Sequence, residues 1–293
     1  MERGRVPRRQ ARLPGVDIGE LGGPAPGRCG PGGDVSTREG GRQWLVRDTD
    51  PDARARVFCL PVAGIGASAY RGWPTRTGDI EICPIQLPGR ENRFRAPAHT
   101  SMDAFVKDAA DALQPYLDKP FGFFGHCFGA RLSYGLSVEL AARGGPLPQR
   151  IFASSCLAPH RGGYFGGGRS GPFTPETTDE EYMEELRHGC ELRGEPTPPD
   201  ELLGLSIQVL RADIALTCGY RPPGPGGTPL NVTTISWTGD THMRPEEMDE
   251  WSAYGDVHQV LLTGDDFTHR SAPADLLQVI ADGLPERTGV LTP

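Results

Sequence analysis

Apolar runs of strand length alternate with stretches of helical spacing along most of the 293 residues, which predicts an α/β fold with a mostly parallel central sheet covered on both faces. Two further observations sharpen this. The run Phe121-Gly122-Phe123-Phe124 stops at Gly125, turns through His126-Cys127-Phe128 and restarts after Gly129 as a helix, a strand–turn–helix unit compressed into a few residues. No apolar run approaches the roughly 18 residues of a membrane-spanning helix, while 37 % hydrophobic residues suffice for a sizeable core.

Residues 1–43 have glycine or proline at nearly every third position and no apolar periodicity, and they carry Arg3, Arg5, Arg8, Arg9 and Arg12. They are expected to form a disordered, solvated N-terminal extension rather than an anion-binding arm. Composition changes at Trp44, and 44–293 is expected to form a single domain. Val57-Phe58-Cys59-Leu60 reads as a strand that runs into the loop Val62-Ala63-Gly64-Ile65-Gly66-Ala67-Ser68, residues 80–87 as a second strand and 102–117 as a helix. After the strand 121–124 comes a helix from 128 to about 143, with Leu132, Leu136 and Leu140 four apart and Gly144-Gly145-Pro146 to stop it. Strands 151–157, 232–237 and 259–262 and a helix over 274–284 complete the alternation.

Residues of about 160–229 break that alternation. A glycine-rich loop at 162–171 leads to a helix that Thr178 and Glu181 cap as a box, and 200–220 reads as a second helix. The segment is expected to be a helical lid inserted over the sheet's active edge. Gly166, Gly168 and Gly171 spell G-x-G-x-x-G, but they neither follow a strand of a βαβ unit nor open a helix, so no dinucleotide site is assigned to them.

A net charge of −8, with no basic patch interleaved with aromatics, argues against a nucleic-acid partner. Seven cysteines, an odd number at scattered positions without paired metal-ligand spacing, favour reduced thiols and no metal site. No apolar segment of signal-peptide type follows the N-terminal arginines, so a soluble cytoplasmic protein is expected, with no membrane partner.

The chemistry centres on Cys127. A strand that turns at once into a helix holds its apical residue in a strained conformation, and Gly125 and Gly129 remove side chains that would collide there, exposing the sulfur. The competing reading is a small buried cysteine in a glycine-rich turn. An exposed thiol becomes a nucleophile beside a base and opposite an oxyanion hole. In such a turn the acid and the histidine come from loops after the last strands. The loop 237–242 offers Asp240 as acid, with His242 as its rival, and His269 is the only histidine beyond the last strand. His99, His160, His188 and His258 read as packed or solvated, and His126 as packed beneath the turn. Backbone N–H groups of Phe128 and of Ala63 or Gly64 would form the oxyanion hole.

With these pieces placed, the chain resembles the type II thioesterases of polyketide and nonribosomal peptide synthesis, an α/β-hydrolase family, from about Trp44 to the C-terminal helix. The resemblance rests on Phe58-Cys59-Leu60-Pro61-Val62-Ala63-Gly64 with Gly66-Ala67-Ser68, on Gln86-Leu87-Pro88-Gly89-Arg90-Glu91, on residues 120–130, on Ala158-Pro159-His160, on Leu210-Arg211-Ala212-Asp213, and on Pro245-Glu246-Glu247 before Trp251. Counted back from Pro245 and Trp251, the family's aspartate falls on Asp240. Two positions depart from the family pattern: Cys127 stands where serine is usual, and Asp266 stands where the Gly-Gly-His-Phe motif has its histidine, with His269 three residues later.

The resemblance implies a thioesterase-like enzyme acting on acyl or aminoacyl thioesters of an acyl or peptidyl carrier protein. Its triad would be Cys127, His269 and Asp240, with Ala63 and Phe128 at the oxyanion hole and Asp266 as an alternative base. No cofactor beyond the carrier's phosphopantetheine is implied. Moving an acyl group from a pantetheine thiol to Cys127 exchanges one thioester for another and is nearly isoenergetic. The cysteine therefore also suits an acyltransferase or aminoacyltransferase that delivers the group to a second carrier or acceptor. A third reading, prompted by the displaced histidine, is a non-catalytic module that binds a carrier protein.

Overall fold

In the computed structural model, which describes residues 43–161, 167, 168, 171–225, 227 and 230–284, the centre of the sheet is built from strands without a polar face. Strand β1 (Ala55–Leu60) is buried at all six positions. Successive side chains point to opposite faces: Val57 and Cys59 pack with Trp73, Phe124 and Ile280, while Phe58 and Leu60 pack with Phe105, Phe123 and Leu132. Helices therefore cover both faces, as an unbroken apolar strand requires.

The other strands are β2 (Arg76–Thr77), β3 (Ile80–Pro84), β4 (Phe121–His126), β5 (Arg150–Ser154), β8 (Leu230–Trp237) and β9 (Gly255–Leu262), and they assemble in the order β2-β3-β1-β4-β5-β8-β9. All neighbours are parallel except β2 and β3. Helices α1 (Met102–Leu113), α2 (Phe128–Ala142) and α5 (Ala274–Gly283) flank the sheet. The register pairs His126 with Ser154, Ser154 with Ile235, and Trp237 with Leu262. The residues just beyond these strand ends, from Cys127 to Asp266, are thus gathered at one carboxyl edge, where open parallel sheets place their ligands.

Several elements differ in extent from the sequence expectation. The strand expected over 80–87 ends at Pro84, after which Ile85 bridges antiparallel to Leu45. Helix α1 stops short of 117 because Pro115 has no N–H for the helical ladder, and residues 114–116 tighten into a 3-10 turn. Strand β5 ends at Ser154 because Ser155 takes φ +43°. Strand β9 begins four residues before the expected 259, its first half hidden in the sequence by exposed polar positions.

The insertion between β5 and β8 contains a two-residue hairpin, β6 (Gly167–Gly168) with β7 (Gly171–Pro172), then helices α3 (Asp179–Leu192) and α4 (Asp200–Cys218). The Thr178 and Glu181 capping box forms as expected. Residues 1–42 and most of the glycine-rich loop at 162–171 lie outside the described residues, and with them most of the expected N-terminal extension. Among the described residues no helix is long and apolar enough to cross a membrane, and no group of three or more His, Cys, Asp or Glu side chains is placed to hold a metal ion. The six described cysteines are free thiols.

Candidate active site

The turn between β4 and α2 has the backbone that its sequence demands. Cys127 sits at φ +50°, ψ −108°, a region that side chains other than glycine rarely occupy, and its N–H donates to the Ser154 carbonyl at 2.8 Å. A Cβ on Gly125 would lie 2.1 Å from the carbonyl carbon of Gly129, and one on Gly129 would lie 2.4 Å from the Leu60 carbonyl oxygen. Strand and helix cross this closely because neither carries a side chain at the crossing.

Cys127 opens into a cavity of about 440 Å³ roofed by α3 and α4, and Ala63, Asp240, Asp266 and His269 line the same cavity. Burial pushes the Cys127 thiol up to about 11, against the opposing pull of Arg131 and the Phe128 N–H; the charges of Asp240 and Asp266 push the same way as burial. The resting group is a neutral thiol. Alkylation of Cys127 by iodoacetamide, followed by peptide mass spectrometry, should accelerate about tenfold per pH unit from pH 6 to 9, as the thiolate fraction does below its pKa. A plateau below pH 8 would mean that a thiolate is already formed.

Loop 62–68, the candidate oxyanion loop, is held from three directions. The Gly64 N–H donates to Asp213 Oδ2 on α4 at 2.8 Å. Asp213 is fully buried and takes both prongs of Arg90, at 2.8 and 2.5 Å, and Arg90 also donates to the Ile65 carbonyl. Glu91 accepts from the Gly66 N–H and Gln86 from the Ala67 N–H. The segments Gln86-Leu87-Pro88-Gly89-Arg90-Glu91 and Leu210-Arg211-Ala212-Asp213 are therefore the braces of this loop. Since Gly64 has given its N–H to Asp213, Ala63 is the better placed of the two candidate donors.

Asp240 is fixed on both oxygens. Oδ1 accepts from the N–H groups of His242 (2.8 Å) and Met243 (3.0 Å), and Oδ2 accepts from Ser155 Oγ–H at 2.7 Å. Sequence reading missed Ser155. Its signal was its place directly after the strand between the Cys127 strand and the Asp240 strand, which a parallel sheet puts next to both. His242, the rival for the acid position, has Nδ1 3.6 Å from Asp266 Oδ2. Burial raises the Asp266 carboxyl above its ordinary value, helped by the charge of Asp240.

His269 lies in a 3-10 turn (Thr268–Ser271), 2 % exposed, its ring stacked on His126 with centroids 3.9 Å apart. Its Nδ1 is 2.6 Å from the Asp266 carbonyl oxygen, which can only accept, so Nδ1 carries the proton and Nε2 presents a lone pair. Nε2 is buried without a hydrogen-bond partner. Burial, and then the neighbouring His126, hold the ring well below the ordinary histidine value, so it is neutral. The hydrogen bond expected from the His269 ring N–H to Asp240 is not made among the described residues: three residues beyond Asp266, the ring turns back and donates to that residue's carbonyl. Beneath it, burial drives His126 down to about 3. Trp237 Nε1 donates to Ser154 Oγ, which leaves the Ser154 hydroxyl proton for His126 Nδ1 at 3.0 Å.

The parallel sheet, the strained strand-to-helix turn at Cys127 and the helical lid define an α/β-hydrolase fold. The chain belongs to the thioesterase domain family, whose model matches residues 55–282, and is by that family an enzyme of thioester hydrolysis. It is 32 % identical over 254 residues to LgrE of Brevibacillus parabrevis, named a linear gramicidin dehydrogenase, across 83 % of this chain and 92 % of that protein. It is also similar to BorB, the type II thioesterase from the borrelidin biosynthetic cluster, at 25 % identity and a TM-score of 0.69 over 83 % of this chain and 98 % of that one. RedJ, a thioesterase from the prodiginine biosynthetic pathway in Streptomyces coelicolor, aligns at 28 % identity and a TM-score of 0.67, covering 81 % of this chain and 91 % of that one.

Proposed function

We propose that this chain is a type II thioesterase acting on acyl or aminoacyl groups held as thioesters on the phosphopantetheine arm of a carrier protein, in cytoplasmic polyketide or nonribosomal peptide synthesis. The observation that carries the reading is Cys127 at φ +50°, facing a lidded cavity that Asp240, Asp266 and His269 also line. The relatives named for such pathways support the substrate class.

Cys127 Sγ attacks the thioester carbonyl and its proton passes to His269 Nε2. The Phe128 and Ala63 N–H groups receive the oxyanion, and the pantetheine sulfur departs with the proton that His269 returns, leaving an acyl-cysteine. Water, deprotonated by the same nitrogen, then attacks the acyl-cysteine; the free acid is released and the thiol restored. Burial raises the Cys127 thiol and lowers the His269 imidazole, so moving the thiol proton to His269 ahead of attack is uphill. Proton transfer therefore accompanies attack instead of preceding it. Asp266, which stands at the register of the histidine in the family's motif, is the alternative base. The dehydrogenase in LgrE's name has no counterpart in the glycine pattern here, since Gly167–Gly168 pairs with Gly171–Pro172 in a short hairpin and not in a βαβ unit.

Intact-protein mass spectrometry after mixing with acyl-loaded carrier protein tests the reading. Free acid with a transient adduct on Cys127 is the expected result. An adduct that persists until a second carrier is added would make the chain an acyltransferase, as the cysteine nucleophile allows. Carrier binding without adduct or turnover would sink the catalytic reading and leave a binding module.

A further inference from the structure

Three arginines are buried among the described residues, and two of them are matched to carboxylates: Arg56 to Glu81 and Asp118, and Arg90 to Asp213. The third, Arg131, is not. It stands in the first turns of α2, four residues after Cys127, is 7 % exposed, and lines the same cavity. Its hydrogen bonding among the described residues is one long donation from Nη1 to the Pro159 carbonyl at 3.4 Å, and Nη2 is buried without a partner. Residues 162–172, most of which lie outside the described residues, include no Asp or Glu. The other two arginines of the cavity wall, Arg193 and Arg270, both pair with Glu195.

A guanidinium taken out of water without a counter-charge is costly, and more so near a helix N-terminus, where the backbone dipoles already present positive charge. A ligand that brings an anion into the cavity relieves both. We propose that Arg131 binds a carboxylate on the acyl group, so that the preferred substrates are thioesters of dicarboxylic or acidic amino acids. This rests on the cavity being a thioester site. A carboxylate fits the planar fork of donors with two parallel hydrogen bonds, whereas a neutral carbonyl would leave the charge uncompensated. The phosphate of the carrier arm is not a rival, because it stays a full pantetheine length from the reacting sulfur. Asp240 and Asp266 also face the cavity and would repel an acidic chain, which confines the acyl carboxylate to the guanidinium. Arg131 is in addition the foremost group opposing the burial-driven rise of the Cys127 and Cys156 thiols, so its removal would slow attack on every acyl group. Selectivity, and not rate, is therefore the readout.

The probes are pantetheine amides, in which N–H replaces the thioester sulfur: succinyl and glutaryl against the uncharged butyryl and valeryl of equal chain length. Calorimetry should show at least one acidic amide binding the wild-type protein about tenfold more tightly than its uncharged match, the size of one charge-assisted hydrogen bond. Arg131→Gln and Arg131→Met should bring that ratio to about one. Equal affinities in the wild type, or a preference that survives either substitution, would overturn the role of Arg131 and leave the thioesterase reading standing. If none of the four amides binds, the reading of the cavity itself fails. The wild-type comparison decides the matter even where a variant does not fold.

Discussion

Cys127→Ala forms no acyl adduct on mixing with acyl-loaded carrier and turns over roughly 10⁴ to 10⁶-fold more slowly than the wild type, the loss expected when a covalent route is closed. The same assay separates the two candidate bases. His269 Nε2 has its tautomer fixed by the Asp266 carbonyl and its lone pair unused, so His269→Ala should cost about 10² to 10⁴-fold in kcat/KM. Asp266→Asn keeps the backbone carbonyl that orients the ring and should cost about tenfold or less. The reverse order, with Asp266→Asn the more damaging, would transfer the base to Asp266. The substitutions act on one chemical step and will not add, so His269→Ala in a Cys127→Ala background should change little.

Gly125→Ala should destabilise the domain by more than about 4 kcal/mol, while Gly204→Ala should stabilise it by about 1 kcal/mol. The two substitutions add the same methyl group and differ in what it meets. At Gly125 the new carbon lies 2.1 Å from one backbone atom of α2 and 2.3 Å from the next, neither of which can yield without moving the helix away from β4. At Gly204, inside α4, nothing lies within 4 Å, and the gain is the helical preference of alanine over glycine. Urea unfolding of both variants measures the difference. A Gly125→Ala protein within about 1 kcal/mol of wild type would mean that strand and helix separate at this crossing at little cost.

Features encoded within a few adjacent residues were readable in the sequence. The Cys127 turn was legible because Gly125 and Gly129 stand two residues either side of it, and the α3 capping box because Thr178 and Glu181 are three apart. The register with Pro245 and Trp251 singled out Asp240, which lines the cavity but does not bond to His269. What required the structure were contacts between strands that are distant in sequence. Ser155 reaches Asp240 across two neighbouring strands. The direction of the His269 ring depends on a single 3-10 turn, whose geometry a three-residue offset cannot supply. Nothing in the sequence singles out Arg131, since the lack of a counter-charge becomes visible only from its neighbours in the fold.

The bracing of loop 62–68 by Asp213 has a mechanical consequence. Because Asp213 belongs to a lid helix and Gly64 to the loop proposed to supply one oxyanion donor, cover and loop are interlocked. A lid that swung out as a rigid flap would drag Asp213 from the Gly64 N–H and strand Arg90 without its counter-ion, a penalty of about 3–5 kcal/mol. The enzyme would be disarmed while it stood open. A lid movement that left α4 latched would keep this bracing intact, whereas an acyl group that demanded the wider opening would meet an enzyme whose loop 62–68 is no longer held.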